Sequence, residues 1–378
     1  MKDNKSSDKF ETAKPQRMSG ARRLAWAAGL GIVLFGVGYA IDSSGLLSFS
    51  FTSQKTGTTQ IGNAVYTREA MESDRGTHSK DRTTPTASTP VGSDGYYLPP
   101  SEKSIPETPY GDAVRRGRAI FLETPSQVSD HVGNTLSCVN CHLDAGRREN
   151  SAPMWGAYVR YPAYRGKTKS ISTLEDRITG CFTYSMNAQA SPSGKPPAAG
   201  SDVYRDLMTY FYWMSDGAPT GEKMPGAGYP KVKKPEQGYD LIRGGKVYAQ
   251  NCALCHSADG QGQRDSESGV VFPPLWGPDS YNWGAGMARI DTAAGFIKAN
   301  MPLGKPFSLT DQEAWDVAAY LNSHERPKDP RQTGTLEEAR LKFHKDEESY
   351  YGKEVSGKIV GGGVSHEQSL ARAVERSD

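Results

Sequence analysis

One five-residue pattern occurs twice in the chain, as Cys138-Val139-Asn140-Cys141-His142 and as Cys252-Ala253-Leu254-Cys255-His256. C-x-x-C-H sets two thiols on one edge of a helical turn with an imidazole beside them. That spacing attaches a c-type haem through two thioethers and brings the His under the iron. The competing chemistry is structural zinc, in which C-x-x-C pairs combine into four-ligand sites. Two closed zinc sites need eight ligands, and the chain has five Cys. The pattern therefore predicts two covalently bound haem c groups, one on Cys138 and Cys141 and one on Cys252 and Cys255, with His142 and His256 as proximal ligands.

A chain of 378 residues has room for two modest domains with extensions. Its net charge of +2 carries no footprint of a nucleic-acid partner. The hydrophobic fraction is only 36%, with 41 Gly and 24 Pro. This suits loop-rich domains whose core is partly porphyrin. Covalent haem attachment places the folded part outside the bacterial cytoplasm. The N-terminus agrees. Leu24 to Ile41 is an 18-residue run without charge, behind Lys14, Arg17, Arg22 and Arg23. That length is at the lower limit for a membrane span, and the flanking positive charge keeps residues 1–23 inside. Residues 24–41 read as an inner-membrane anchor or signal segment, with the rest on the periplasmic side. Gly38-Tyr39-Ala40 is a weak cleavage site, so an uncleaved anchor is favoured.

Residues 42–105 are rich in Ser, Thr and Gly without sustained periodicity and read as a flexible linker. Two similar segments follow, 106–230 and 231–330. In the second, EQGYDLIRGGKVYAQNCALCH runs as a helix into the motif, and SLTDQEAWDVAAYLNSH closes the unit. Thr310 and Glu313 form a capping box at the start of that closing helix. In the first, YGDAVRRGRAIFLET and SDVYRDLMTYFYWMSDG take these parts, with Gly117 and Phe121 set against Gly245 and Tyr248. An insertion, PSQVSDHVGNTLS, separates the first helix from Cys138. Helix, haem loop, ligand loop and closing helix make an all-α fold of two cytochrome c-like domains in tandem. MPGAGYPKVKKPEQG is the linker between them. Residues 331–378 form a polar tail with a helix expected over Leu336 to Tyr351.

A six-coordinate haem needs a second axial group, and its identity tunes the potential. In the second unit, Met301 lies 45 residues after His256, in the stiff loop Asn300-Met301-Pro302-Leu303-Gly304. It reads as a thioether ligand, the alternative being a core methionine. The first unit has no such loop. Cys181 stands in the equivalent place instead, 39 residues after His142. A free Cys is most often a small buried hydrophobe. As a thiolate ligand, Cys181 would lower the potential and make a poor simple carrier, which points to chemistry at that haem. Around it lie Arg165, Lys167, Lys169, Arg177, Ser185 and Asn187, a cationic and hydroxylic set suited to an anion.

Asp176-Arg177-Ile178-Thr179-Gly180-Cys181-Phe182, followed by Ser185-Met186-Asn187, resembles the signature of the dihaem c-type thiosulfate dehydrogenases, which form tetrathionate. The likeness extends to YPAYRG at Tyr161 to Gly166, NMPLG at Asn300 to Gly304, SHERP and DPR between Ser323 and Arg331, and YYGK at Tyr350 to Lys353. It covers about residues 108–355. The resemblance implies oxidation of two thiosulfates to tetrathionate, or the reverse reduction, at a His/Cys haem. Electrons then pass through a His/Met haem to a partner such as another cytochrome c or a high-potential iron–sulfur protein. It implies Cys181, Arg177 and Ser185 as catalytic residues, with Arg165 and Lys167 joining Arg177 and Ser185 in substrate binding. Lys167 stands where the family has a second Arg, and Asn300 where some members have a Lys. Electrostatics argue independently for cations at the site. Two dianions about 4 Å apart repel by roughly 4 kcal/mol in water and ~16 kcal/mol at an effective dielectric of 20. A plain electron-transfer subunit and a cytochrome that carries sulfur on Cys181 for another enzyme are the competing readings.

Overall fold

The structure is a computed structural model. It describes residues 58–61, 64–67, 89–166, 169–265 and 269–365. The described part is mainly helical. Its longer helices are α1 (Pro109–Leu122), α2 (Leu174–Gly180), α3 (Asp202–Met214), α4 (Leu241–Asn251), α5 (Ile290–Asn300), α6 (Asp311–Asn322) and α7 (Leu336–Phe343). Four antiparallel hairpins accompany them among the described residues: β1 (Thr58–Ile61) with β2 (Ala64–Thr67), β3 (Ala163–Arg165) with β4 (Ser170–Ser172), β5 (Gln263–Asp265) with β6 (Gly269–Phe272), and β7 (Glu354–Val355) with β8 (Lys358–Ile359). The all-α expectation thus holds for the framework and not for the loops.

Local chemistry fixes the helix starts. Thr108 caps α1 through its hydroxyl, with Pro109 at the first helical position, where no N–H is needed. Asp240 accepts from the Arg243 N–H at the head of α4. The capping box of Thr310 and Glu313 opens α6 as its sequence predicts, and Thr173 with Asp176 makes another at α2.

Each unit is built on one crossing of its first and last helices, α1 on α3 and α4 on α6. A Cβ on Gly117 would lie 2.0 Å from the Asp206 carbonyl oxygen, and one on Gly244 would lie 2.1 Å from that of Asp316. Only glycine lets the backbones meet there. The neighbouring arginine ties each crossing. Arg116 forks onto Asp206 at 2.8 and 2.9 Å, and Arg243 onto Asp316 at 2.7 and 2.8 Å. Gly244, rather than Gly245, is therefore the counterpart of Gly117. Gly245 faces the edge of the Tyr320 ring. Each crossing has its own apolar core, one around Val114, Phe121, Trp155, Phe182 and Tyr210, the other around Tyr248, Trp276, Ile290 and Trp315, and a third cluster joins Trp283 to Tyr351 and Val360 of the tail.

The segments read as linker and tail are partly seated on these cores. Tyr97 is buried, and its hydroxyl donates to the Met214 and Asp216 carbonyls. Tyr229, between the units, sets its ring edge-on to Phe296, centroids 5.6 Å apart. The tail helix stops at Phe343, short of the Tyr351 expected from sequence. There His344 turns inward to hydrogen-bond Asp329 at 2.7 Å and stacks on Tyr351 at 3.9 Å. Among the described residues no helix is long and apolar enough to cross a membrane. The apolar run at 24–41 lies outside the described residues, as do residues 1–23 and 366–378.

Candidate functional site

The two motif loops present the same donor arrangement. In the first, the His142 amide donates to the Cys138 carbonyl at 3.0 Å. In the second, His256 does the same to Cys252 at 2.9 Å. His142 Nδ1 lies 2.8 Å from the Ala152 carbonyl, and His256 Nδ1 lies 2.9 Å from that of Pro273. A carbonyl only accepts, so Nδ1 carries the proton in both rings. Nε2 is left with a lone pair for a metal. Burial holds His256 below the ordinary imidazole range, which keeps it neutral. Burial also pushes three motif thiols up, Cys138 and Cys141 to about 12 and Cys252 to about 11. Among the described residues no group of three or more His, Cys, Asp or Glu could hold a metal ion by itself. Paired thiols beside an imidazole with a free Nε2 fit a haem c in each unit, and do not fit zinc.

Cys181 differs from the other four cysteines. It sits where α2 ends and begins a π-helical turn, Cys181–Ser185. Arg177, one helical turn earlier, aims its Nη1 at Cys181 Sγ at 3.1 Å. Burial alone would raise this thiol. The Arg177 charge above all, together with His142 and the hydrogen bond from Arg177 Nη1, brings it down to about 7. Cys181 thus faces both His142 of the first motif and a half-buried guanidinium, and the guanidinium favours the thiolate. Arg177 is itself raised by the Cys181 charge, burial opposing.

Arg165, on β3, joins this set through Tyr161, whose hydroxyl accepts from Arg165 Nη1 at 2.9 Å. Tyr161 in turn acts on the Arg177 charge, as does Tyr229. Neither tyrosine stood out in the sequence, although Tyr161 opens the YPAYRG segment. Ser185 ends the turn, half-buried, 4 residues beyond Cys181. Lys167 lies outside the described residues. In the second unit Met301 caps α5 and packs partly buried against the core that also holds Cys252 and Leu275. The Asn300 side chain is committed elsewhere, donating to the Phe296 and Asn150 carbonyls at 3.0 Å each.

Comparison with known proteins places this geometry. Residues 129–220 match the family described as SoxA/TsdA, cytochrome c domain, and residues 241–325 match cytochrome c. The chain is 53% identical over 273 residues to a thiosulfate dehydrogenase of Stutzerimonas stutzeri, covering 72% of this chain and 87% of that one. The chain belongs to the thiosulfate dehydrogenase family. A second such protein, from Thiomonas intermedia, is 51% identical over 271 residues, covering 72% of this chain and 84% of its own. Among solved structures, a thiosulfate dehydrogenase (TsdBA) from Marichromatium purpuratum superposes with a TM-score of 0.69 at 51% identity. That match covers 72% of this chain and 58% of the solved one, so this chain spans less than two thirds of its length. As a thiosulfate dehydrogenase family member with two cytochrome c domains, the protein is a cytochrome c-type oxidoreductase carrying two haem c groups.

Proposed function

We propose that the protein oxidises two thiosulfates to tetrathionate at the first haem site, with Cys181 as catalytic thiol and distal ligand. The 3.1 Å contact between Arg177 Nη1 and Cys181 Sγ, beside His142, carries this reading. Cys138, Cys141 and His142 would hold the first haem, and Cys252, Cys255, His256 and Met301 would hold the second. When bound, the two haems supply one-electron acceptance.

The chain's own residues do the rest. Arg177, with Arg165 held by Tyr161, grips the sulfonate oxygens of thiosulfate and offsets the repulsion between two dianions. Lys167 and Ser185 complete the anion site. The Cys181 thiolate bonds to the terminal sulfur of the first thiosulfate, giving Cys181 Sγ–S–SO3⁻, and the two electrons released would pass one to each haem. The terminal sulfur of the second thiosulfate then displaces Cys181 from that sulfur. Tetrathionate forms and the thiolate returns, with no proton exchanged. Run backwards, the same two steps reduce tetrathionate. Electrons leave by way of the second unit to a soluble cytochrome c or a high-potential iron–sulfur protein, on the periplasmic side. Residues 24–41 anchor the chain to the inner membrane.

The deciding measurement adds thiosulfate alone to purified, oxidised holoprotein. Appearance of reduced haem bands together with tetrathionate is the expected result. Unchanged bands would leave an electron-transfer subunit, and reduction only with an added sulfur enzyme would leave a sulfur carrier.

A further inference from the structure

The turn that begins at Cys181 is held from outside itself. Within it, the Met186 N–H donates to the Cys181 carbonyl at 2.9 Å, the five-residue spacing of a π-helical turn. The carbonyls from Thr183 to Met186 leave the helix and need other donors. The Thr183 oxygen accepts from Asn282 Nδ2 at 2.9 Å and from Gln189 Nε2 at 3.0 Å. The Tyr184 oxygen accepts from the Asn282 amide at 3.1 Å. The Ser185 oxygen accepts from Asn134 Nδ2 at 2.7 Å, and the Met186 oxygen from the Gly133 amide at 2.8 Å. Asn282 belongs to the second unit and is fully buried. Its Nδ2 also reaches Asn187 Oδ1 at 3.2 Å, and its Oδ1 accepts from Gly284 at 3.0 Å. Gly284 lies against the Tyr184 ring, which a Cβ would meet at 2.4 Å. Asn134, from the insertion before Cys138, also donates to the Ser280 carbonyl at 3.2 Å.

We infer that Asn282 is a positioning residue for Cys181: through its grip on the far end of the turn, the electron-accepting unit sets how firmly the sulfur is held at the first haem. This rests on the reading of Cys181 as distal ligand. A catalytic thiol that is also a ligand must be released for part of each cycle. The stiffness of the turn behind it therefore governs turnover. Asn282 supplies two of the turn's outside donors from one residue, and the side-chain donor can be removed without touching the backbone one.

The test compares wild-type holoprotein with Asn282→Asp and Asn282→Ala. Asp keeps the acceptor for Gly284 and turns an oxygen toward Thr183 and Asn187. Ala removes the side chain and keeps the amide bond to Tyr184. Three readings are taken: the paramagnetic spectrum of the first haem, amide hydrogen exchange across residues 182–187, and steady-state kinetics. Expected are a second, weakly ligated population at the first haem, exchange faster by about tenfold, the worth of one hydrogen bond, and a changed kcat with KM moved less than about twofold. The second haem keeps its spectrum. A folded, haem-loaded variant whose first-haem spectrum matches wild type, merely less heat-stable, overturns the inference. If Asn282→Asp fails to load haem, Asn282→Ala decides by the same criteria. Cys181→Met separates the two claims. If it leaves the first-haem spectrum unchanged, the ligand reading itself fails. If it changes the spectrum and both Asn282 variants do not, only the positioning role fails.

Discussion

The two cytochrome units share a frame and differ in one slot. Both cross their outer helices at a glycine, with an arginine beside it forked onto an aspartate of the closing helix. Both fix the motif histidine by a Nδ1 bond to a carbonyl. Beyond the histidine the two units diverge. The first unit puts Cys181 on a π-helical turn against Arg177, whereas the second ends α5 in Met301 among apolar neighbours. A repeated scaffold presents a haem c motif in either unit, and the loop beyond it differs, a thiol held by a guanidinium in one and a thioether among apolar side chains in the other. Charge follows the same division, with a half-buried guanidinium beside the thiol and apolar packing around the thioether.

Making the first slot resemble the second should have the largest effect. Cys181→Met should leave both haems attached and make the first easier to reduce, while thiosulfate oxidation falls by about 10³-fold or more, as when a nucleophile is removed. Retained activity would reduce Cys181 to a tuner of potential. Arg177→Ala should cost less. It removes charge-assisted hydrogen bonds worth about 1.5–3 kcal/mol each, or roughly 10- to 150-fold in kcat/KM per bond. Arg177→Lys should recover only part, because an ammonium cannot grip two oxygens in one plane. Full activity in Arg177→Ala would move the anion site elsewhere.

Much of this division was legible in the sequence because the residues involved are chemically singular. Two C-x-x-C-H motifs, a Met-Pro loop and one leftover cysteine needed no tertiary information to be noticed. The capping box at Thr310 was equally local. What escaped was set by packing. Gly245 and Gly244 are adjacent and identical, and only the Asp316 carbonyl 2.1 Å from a would-be Cβ picks the second. Asn282, Asn134 and Tyr229 carry no motif, since their partners are backbone carbonyls or rings far away in the chain. The tail read as polar, with a helix over Leu336 to Tyr351. Its helix was cut short by His344, which a buried Asp329 captures from 15 residues away.

The shared frame can be tested by breaking it symmetrically. Gly117→Ala and Gly244→Ala each drive a methyl into a backbone oxygen and should each destabilise by about 1–3 kcal/mol or more, the usual cost of overpacking. Gly245→Ala meets a tyrosine ring edge at 3.3 Å and should cost much less. Denaturant midpoints of the three variants, read at each haem separately, make the comparison. Equal losses at Gly244 and Gly245 would show that the two crossings are not equivalent.

The smallest effect concerns the tail, where Asp329 receives His344, and it is confined to acid. Burial alone would raise the Asp329 carboxyl. Hydrogen bonds from His344 and Arg331, and the Arg331 charge, hold it well below the carboxylate range instead. A carboxyl depressed in the fold stabilises the protein above its unfolded pKa of about 3.9, and that contribution fades as pH falls below it. Wild type should therefore lose stability on acidification below about pH 4, beyond what its exposed carboxylates explain. Asp329→Asn should be less stable at neutral pH, because His344 and Arg331 lose their charged partner, and should show a flatter decline in acid. Urea midpoints followed from about pH 6 to pH 3 would read both slopes. Parallel curves would mean that Asp329 is not depressed by its partners, and that the tail is held by the apolar contacts of Trp283, Tyr351 and Val360 instead.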